Sequence, residues 1–229
     1  MRLESPKKCN DDLYHRIVMD VMCGRIRPKE RLGENSLSSR LGSPRGAIRE
    51  ALTRLEQDGL VVRKDNVGTY FREIEDDELL EIYDVRIAIE PLVAMRVAAI
   101  ASEHELDDLA GLAKQIDLAP SSDINRDVLD NDFHLKLAEI SKMKHIPRLM
   151  VIGNLHARCS LLHQQLVLFK VQSAKPIARP DHRDIVKALR SRNQEKASST
   201  MAEHLRIAKE LAVAEIERVN SFVATMERQ

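Results

Sequence analysis

The stretch SPRGAIREALTRLEQDGLVV, residues 43–62, decides how this chain is read. Ile48, Ala51, Leu52 and Leu55 fall on one arc of a 3.6-residue period, so Arg45 to Asp58 is a predicted helix with one buried stripe. Gly59 suits the position just past its end. Upstream, Leu37 and Leu41 lie one turn apart in a short helix around Ser36–Leu41, and Gly42-Ser43-Pro44 makes a tight turn between the two helices. Downstream, Leu60-Val61-Val62 and Thr69-Tyr70-Phe71 are β-prone runs separated by charged and turn residues through Gly68, which predicts a small hairpin. Two short helices joined by a glycine turn are a helix-turn-helix, and the hairpin gives it a wing.

Before this unit lies a further predicted helix from Leu13 to Met22, carrying Leu13, Ile17, Val18, Val21 and Met22 at helical spacing and stopped by Gly24. Residues 1–9 read as a polar lead-in, and RIRPKERLG (25–33) as a connection. On the second helix of the motif, Arg45 and Arg49 are one turn apart, beside the buried stripe and not on it. In that position they can donate to guanine O6 and N7 or hold phosphate. The plainer alternative is a solvated face with Arg49 near Thr53 or Glu56. The chain is neutral overall, yet Lys and Arg outnumber Asp and Glu 15 to 12 over residues 1–75, and the remainder is acidic by the same margin. A basic head on an acidic body is a weak pointer to nucleic acid.

From Asp76 onward the pattern is helical almost throughout, with helices expected near 76–101, 103–118, 123–142, 146–170, 180–191 and 194–223. The stops agree: Pro120 with Ser121-Ser122, the corner Lys144–Pro147, and a loop through residues 175–180 whose Pro180 suits the first turn of the next helix. The expected fold class is mainly α: an N-terminal winged helix-turn-helix domain over residues 10–73 and a C-terminal all-helical bundle over 76–222.

Composition agrees with that division. Aromatics are 3% with no Trp, against plentiful Leu, Ala, Ile, Glu and Arg, which disfavours a β-sandwich or barrel. Hydrophobic residues at 43% are too many for wholesale disorder. No apolar run approaches the roughly 18 residues of a membrane span, since even residues 92–101 are broken by Arg96. The opening residues lack an apolar signal core, and Cys9, Cys23 and Cys159 form no CxxC pair, so a cytoplasmic protein with free thiols is expected.

The body carries a polar set on apolar stripes. Asp130 and His134 are spaced i, i+4 on a face flanked by Phe133 and Leu137. His182 shares its stripe with Ile185, Val186 and Leu189, and His204 shares one with Met201, Ala208 and Leu211. A divalent transition metal would satisfy one carboxylate and three imidazoles together. Hydrogen-bonded core histidines would satisfy them separately. His156 and His163 lie on a stripe of their own with Leu149, Ile152, Cys159 and Leu166, so the periodicity leaves both readings open and does not say whether these two join the pocket.

The run Leu13–Phe71 resembles the DNA-binding domain of the GntR family of bacterial transcription regulators, through GRIRPKERLGENSLSSRLG (24–42), SPRGAIREALTRLEQDGLVV (43–62) and the wing GTYF (68–71). Residues from about 78 to 214 are similar to the helical effector domain called FCD that follows this head in the FadR-like branch, through YDVRIAIEPLVAMRVA (83–98), DNDFHLKLAEIS (130–141) and DHRDIVKALRSRNQEKASSTMAEHL (181–205). The resemblance implies a homodimer on a short palindromic operator, with Asn35, Arg45, Gly46, Ala47, Arg49 and Gly68 at the DNA. Pro28-Lys29 stands where the family has Pro-Gly, Gly46 and Ala47 stand where it has hydroxyl and proline residues, and Asn35 replaces a common arginine or glutamate. In the body it implies a metal on Asp130, His134, His182 and His204, zinc first, with nickel, manganese or iron as alternatives. A small organic or sugar acid would then fill open coordination positions, with Arg86 and Arg158 as carboxylate clamps. The local alternative for Arg86 is an i, i+4 pair with Glu90.

A ligand-responsive transcription regulator is therefore the expected function. A metal-dependent enzyme of the Asp/His3 type and a metal-free structural DNA-binding dimer are the competitors. No base or oxyanion partner stands beside the cluster in sequence, which counts against the enzyme.

Overall fold

The computed structural model describes residues 13–18, 20–21, 25–26, 30–65, 67–72, 75–119, 124–146 and 181–226. The chain divides into two compact units, Met1–Ile74 and Glu75–Gln229.

In the first unit, helical residues 13–18 and 20–21 (α1) bury Leu13, Tyr14, Ile17, Val18 and Val21. The Tyr14 hydroxyl donates to Asp58 Oδ2 at 2.8 Å, tying α1 to the residue that follows the second helix of the motif. Helix α2 spans Glu34–Leu41 and buries Leu37 and Leu41. It ends where Gly42 turns left-handed, and the Ser43 amide returns to the Ser38 carbonyl at 3.2 Å. Helix α3, Arg45–Gln57, buries the expected stripe of Ile48, Ala51, Leu52 and Leu55. Its end is a Schellman motif: Gly59 at φ 71° donates to Glu56 O and Leu60 to Leu55 O, at 3.0 and 2.8 Å. Leu60 and Leu55 are both buried, which supplies the hydrophobic contact that accompanies this cap.

Strands β1 (Val61–Lys64) and β2 (Gly68–Phe71) pair antiparallel with Val61 opposite Phe71 and Lys64 opposite Gly68. The connection before α2 contributes more than was read from sequence. Arg31 bridges to Tyr70, and the Leu32 amide donates to Thr69 O at 2.7 Å, so this segment lies along β2.

The second unit holds α4 (Asp76–Ile100), α5 (Glu103–Leu118), α6 (Ile124–Ile140), α7 (His182–Arg190) and α8 (Gln194–Met226). Helix α5 starts on a full capping box: Ser102 Oγ accepts from the Glu105 amide and Glu105 Oε2 accepts from the Ser102 amide. Helix α6 ends two residues before the expected limit because Lys142 adopts φ 54°. Helix α7 starts at His182, since the Asp181 carboxylate accepts from the Arg183 amide as its N-cap; Pro180 lies outside the described residues. The expected helix 146–170 and all three cysteines also lie outside them, apart from helical Ile146.

Asn220 pairs with Asp76, Lys209 with Asp84, and Arg192 donates to Ala101 O, so α8 runs antiparallel along α4. One core joins the five helices, with Val93 and Val97 of α4, Leu106 and Leu109 of α5, Phe133 and Leu137 of α6, Ile185 and Leu189 of α7, and Met201 and Leu205 of α8. Pro91 sits inside α4 and removes the amide that would donate to the Ile87 carbonyl, yet the helix continues to Ile100. Among the described residues no helix is long and apolar enough to cross a membrane.

Candidate nucleic-acid interface and metal centre

The exposed side of the helix-turn-helix carries Asn35, Arg45, Gly46 and Arg49, with Ala47 half-buried beside them. Arg45 makes no hydrogen bond or ion pair among the described residues. Arg49 differs. Its Nε donates to Glu34 Oε1 at 2.8 Å and its Nη2 to Glu34 Oε2 at 2.7 Å. That hydrogen bond holds the Glu34 carboxyl below its ordinary value. The partner suggested by sequence, Glu56, pairs instead with Arg63 at 3.0 Å, and Thr53 Oγ1 donates to the Arg49 carbonyl. Glu34 was missed because it lies on the other helix of the motif, 15 residues away. A Cβ at Gly46 would meet nothing within 4 Å, so the fold does not require glycine there. At Gly68, with φ 138°, a Cβ would come within 2.5 Å of Arg31 Nε, so the bare backbone lets the Arg31 side chain cross the wing.

In the second unit, α6 presents Asp130 and His134 one turn apart, α7 presents His182 in its first turn, and α8 presents His204. One ligand atom from each lies within 4.8 Å of all the others. The three histidines are buried, at 1%, 2% and 5% exposure. Donors about 2.0–2.2 Å from one ion are separated by at most about 4.4 Å, so small side-chain rotations would close this set onto a cation.

The internal bonding is directional. His182 Nε2 lies 2.8 Å from Asp130 Oδ1, and His134 Nε2 faces the same oxygen at 4.0 Å. Each ring turns its other nitrogen to a further carboxylate: His134 Nδ1 to Glu90 Oε2, and His182 Nδ1 to Asp117 Oδ1 at 3.5 Å. Glu90 in turn accepts from Arg86 Nε at 2.7 Å, all within the core. A carboxylate can only accept, so Glu90 accepts from the Nδ1 proton of His134, and Nε2 is the nitrogen turned toward Asp130. His204 Nδ1 is buried with no hydrogen-bond partner among the described residues. An orphaned imidazole nitrogen beside an ionised carboxylate fits a cation site better than a closed hydrogen-bond network.

Electrostatics point the same way. Burial pushes the Asp130 carboxyl up, but the His182 hydrogen bond and nearby positive groups outweigh it and hold the pKa well below the usual range. Burial depresses His182, but hydrogen bonds to Asp117 and Asp130 raise it above its ordinary 6.5. Burial, reinforced by the neighbouring histidines, pushes His204 well below that value. Asp130 is thus ionised and His204 neutral near pH 7, the forms that bind metal.

Sequence reasoning brought the four candidate ligands together but missed Glu90 as a partner of His134, and missed Asp117 altogether. Glu90 had a signal, a carboxylate on a stripe that is otherwise apolar and so in need of partners. Arg86 makes the pair with Glu90 that was its local alternative. Arg158, His156 and His163 lie outside the described residues.

Residues 81–207 match the FCD domain, and residues 10–71 match the family described as bacterial regulatory proteins, gntR family. The chain is 28% identical over 207 residues to the HTH-type transcriptional regulator YdhC of Bacillus subtilis, covering 89% of this chain and 90% of that one. It is 27% identical over 222 residues to the HTH-type transcriptional repressor RspR of Escherichia coli, covering 96% and 95%. Among solved structures, E. coli McbR/YncC superposes with a TM-score of 0.76 at 18% identity, covering 90% of this chain and 98% of that one. A GntR transcriptional regulator of Rhodococcus sp. RHA1 gives 0.67 at 21%, covering 90% and 98%. These two establish likeness of fold. With residues 10–71 matching the gntR family and residues 81–207 the FCD domain, this chain belongs to the GntR family of DNA-binding transcription regulators, carries an FCD effector domain, and is not an enzyme.

Proposed function

We propose that the protein is a cytoplasmic, homodimeric regulator whose residues 10–73 read a short palindromic operator and whose residues 76–222 bind a divalent transition metal together with a small organic or sugar acid. The observation that carries the metal is the convergence of Asp130, His134, His182 and His204 from three helices, with ligand atoms within 4.8 Å of one another. Three imidazoles and one carboxylate suit zinc, nickel, manganese or iron, zinc first. When bound, such an ion supplies Lewis-acid positions that a carboxylate effector can fill.

The chain's own residues do the rest. Glu90 orients the His134 ring, Asp117 Oδ1 lies 3.5 Å from His182 Nδ1, and Phe133 packs edge-on against both rings. Arg86, held at Nε by Glu90, places positive charge beside it. Arg158 is assigned to the effector carboxylate from the sequence resemblance alone. Dimerisation is supported by size, because one winged head of about 60 residues grips too few phosphates for tight specific binding.

The test is metal analysis of the purified protein, followed by a thermal-shift screen of organic and sugar acids on metal-loaded and chelated samples. About one ion per chain is expected, with acid-dependent stabilisation that chelation abolishes. A protein that takes up no divalent ion under any loading condition overturns the metal and, with it, the proposed mode of effector binding.

A further inference from the structure

Glu34 occupies the first turn of α2, where the positive end of the helix dipole favours a carboxylate. From there it meets Arg49 of α3 side-on, through Nε at 2.8 Å and Nη2 at 2.7 Å. Two parallel bonds fix the plane of the guanidinium as well as its position. Of its five N–H donors this pair uses one on Nε and one on Nη2. Three remain: one on Nη1 and one on Nη2 form the distal edge, and the second on Nη1 points back toward the Cδ side. That edge makes no hydrogen bond among the described residues, and the Arg49 side chain is 65% exposed. A two-nitrogen edge is the fork that meets O6 and N7 of guanine in the major groove.

The charge balance argues for the same role. A carboxylate on the DNA-facing side opposes binding to a polyanion, and removing it would strengthen nonspecific attraction. Glu34 therefore acts on the direction of Arg49 and against raw affinity. An unsplinted arginine on the same face, such as Arg45, is free to follow a phosphate.

We propose that Glu34 is a positioning residue that determines base specificity: by holding the Arg49 guanidinium side-on, it commits the distal edge of Arg49 to a guanine in each operator half-site. This rests on the reading that α3 lies in the major groove, as the helix-turn-helix geometry implies.

The test uses the full-length protein and a duplex library randomised over both half-sites, selected and sequenced at fixed salt, for the wild type, Glu34→Gln, Glu34→Ala, Arg49→Ala and Arg49→Lys. The wild type is expected to enrich guanine at one position per half-site. Both Glu34 variants should flatten that preference by about fivefold or more, the low end of what one bidentate base contact supplies. They should bind random duplex as tightly as the wild type or more tightly, with a salt slope unchanged or steeper by about one where the released Arg49 follows a phosphate. Arg49→Lys keeps the charge but not the fork, and should lose the same position. A guanine preference unchanged within about twofold in both Glu34 variants, while Arg49→Ala abolishes it, overturns the role of Glu34 alone. Uniform weakening of all sequences by Arg49→Ala, with the salt slope reduced by about one, marks Arg49 as a phosphate contact and overturns the base-reading beneath the proposal. Glu34 and Arg49 are surface residues, so melting curves matching the wild type verify that each variant folds.

Discussion

Glu90→Gln is the sharpest perturbation of the second unit, because it changes one charge and almost no volume. Glu90 is 1% exposed and holds two groups at once, Arg86 Nε on Oε1 and His134 Nδ1 on Oε2. The amide oxygen can still accept from Arg86, but the guanidinium, 3% exposed, loses the charge of Glu90. Breaking one side of a buried pair costs about 3–5 kcal/mol. For a protein of this size that is roughly 6–20 °C in melting temperature. The amide nitrogen now faces His134 and donates, so Nδ1 becomes the acceptor and the ring proton moves to Nε2, the atom that faces Asp130. A protonated Nε2 cannot coordinate, and loss of such an outer partner lowers metal affinity about 10–100-fold. Two readouts therefore move together: the melting temperature of the metal-free protein, and zinc affinity by competition with a chromophoric chelator. The pair Arg86→Met with Glu90→Leu separates them, because removing both charges should restore much of the stability but none of the affinity. If Glu90→Gln binds zinc within about twofold of wild type and melts within a degree or two, the Arg86–Glu90–His134 chain has neither role.

Metal uptake should depend on pH through His182. Its pKa is raised, so near neutrality it is the ligand that must lose a proton. Affinity should climb as pH rises above 6.5 through that raised value and then level off; an affinity that does not change as pH rises above 6.5 would refute this. The same shift favours the folded metal-free protein below the ordinary value of 6.5 and ceases to do so as pH rises through the folded value, so chelated protein should lose stability over that window while loaded protein does not. Gly46→Ala should stabilise the first unit by about 0.4–1 kcal/mol in thermal melts, since the site is helical and open; destabilisation would mean that something unaccounted for fills the space. If Arg45 makes a bidentate base contact, Arg45→Ala should cost about 1–3 kcal/mol on the selected operator and little on random duplex, and gel-shift titrations on both distinguish that from a phosphate contact.

The stripe of α3 and the spacing of Asp130 and His134 were legible because both are local: residues three and four apart must share a helix face, whatever the rest of the chain does. Helix starts and stops were legible to within about two residues where a cap or a proline marks them, as at Ser102. What escaped was contact between elements. Glu34 and Arg49 meet only because α2 and α3 cross at the turn, and Glu90 reaches His134 across 44 residues of sequence. The lie of residues 31–32 along β2 escaped for a related reason: two backbone contacts leave no periodicity to detect. The cluster itself lay between these cases. Each ligand was visible on its own stripe, but nothing in a stripe says which other stripes it faces.

Pro91 adds a consequence for how α4 behaves. The proline deprives the Ile87 carbonyl of its donor, so the turn from residue 87 to 91 lacks a rung that its neighbours keep. The Arg86–Glu90 pair spans that same turn and acts as a side-chain staple across the missing rung. At that place the Arg86–Glu90 pair supplies a side-chain contact across a turn that lacks one backbone hydrogen bond. A ligand that drew Arg86 toward its own carboxylate would loosen the staple, and the helix would yield at Pro91 before it yielded anywhere else. Amide exchange at residues 88–95, measured with and without ligand, would register that change as a local loss of protection.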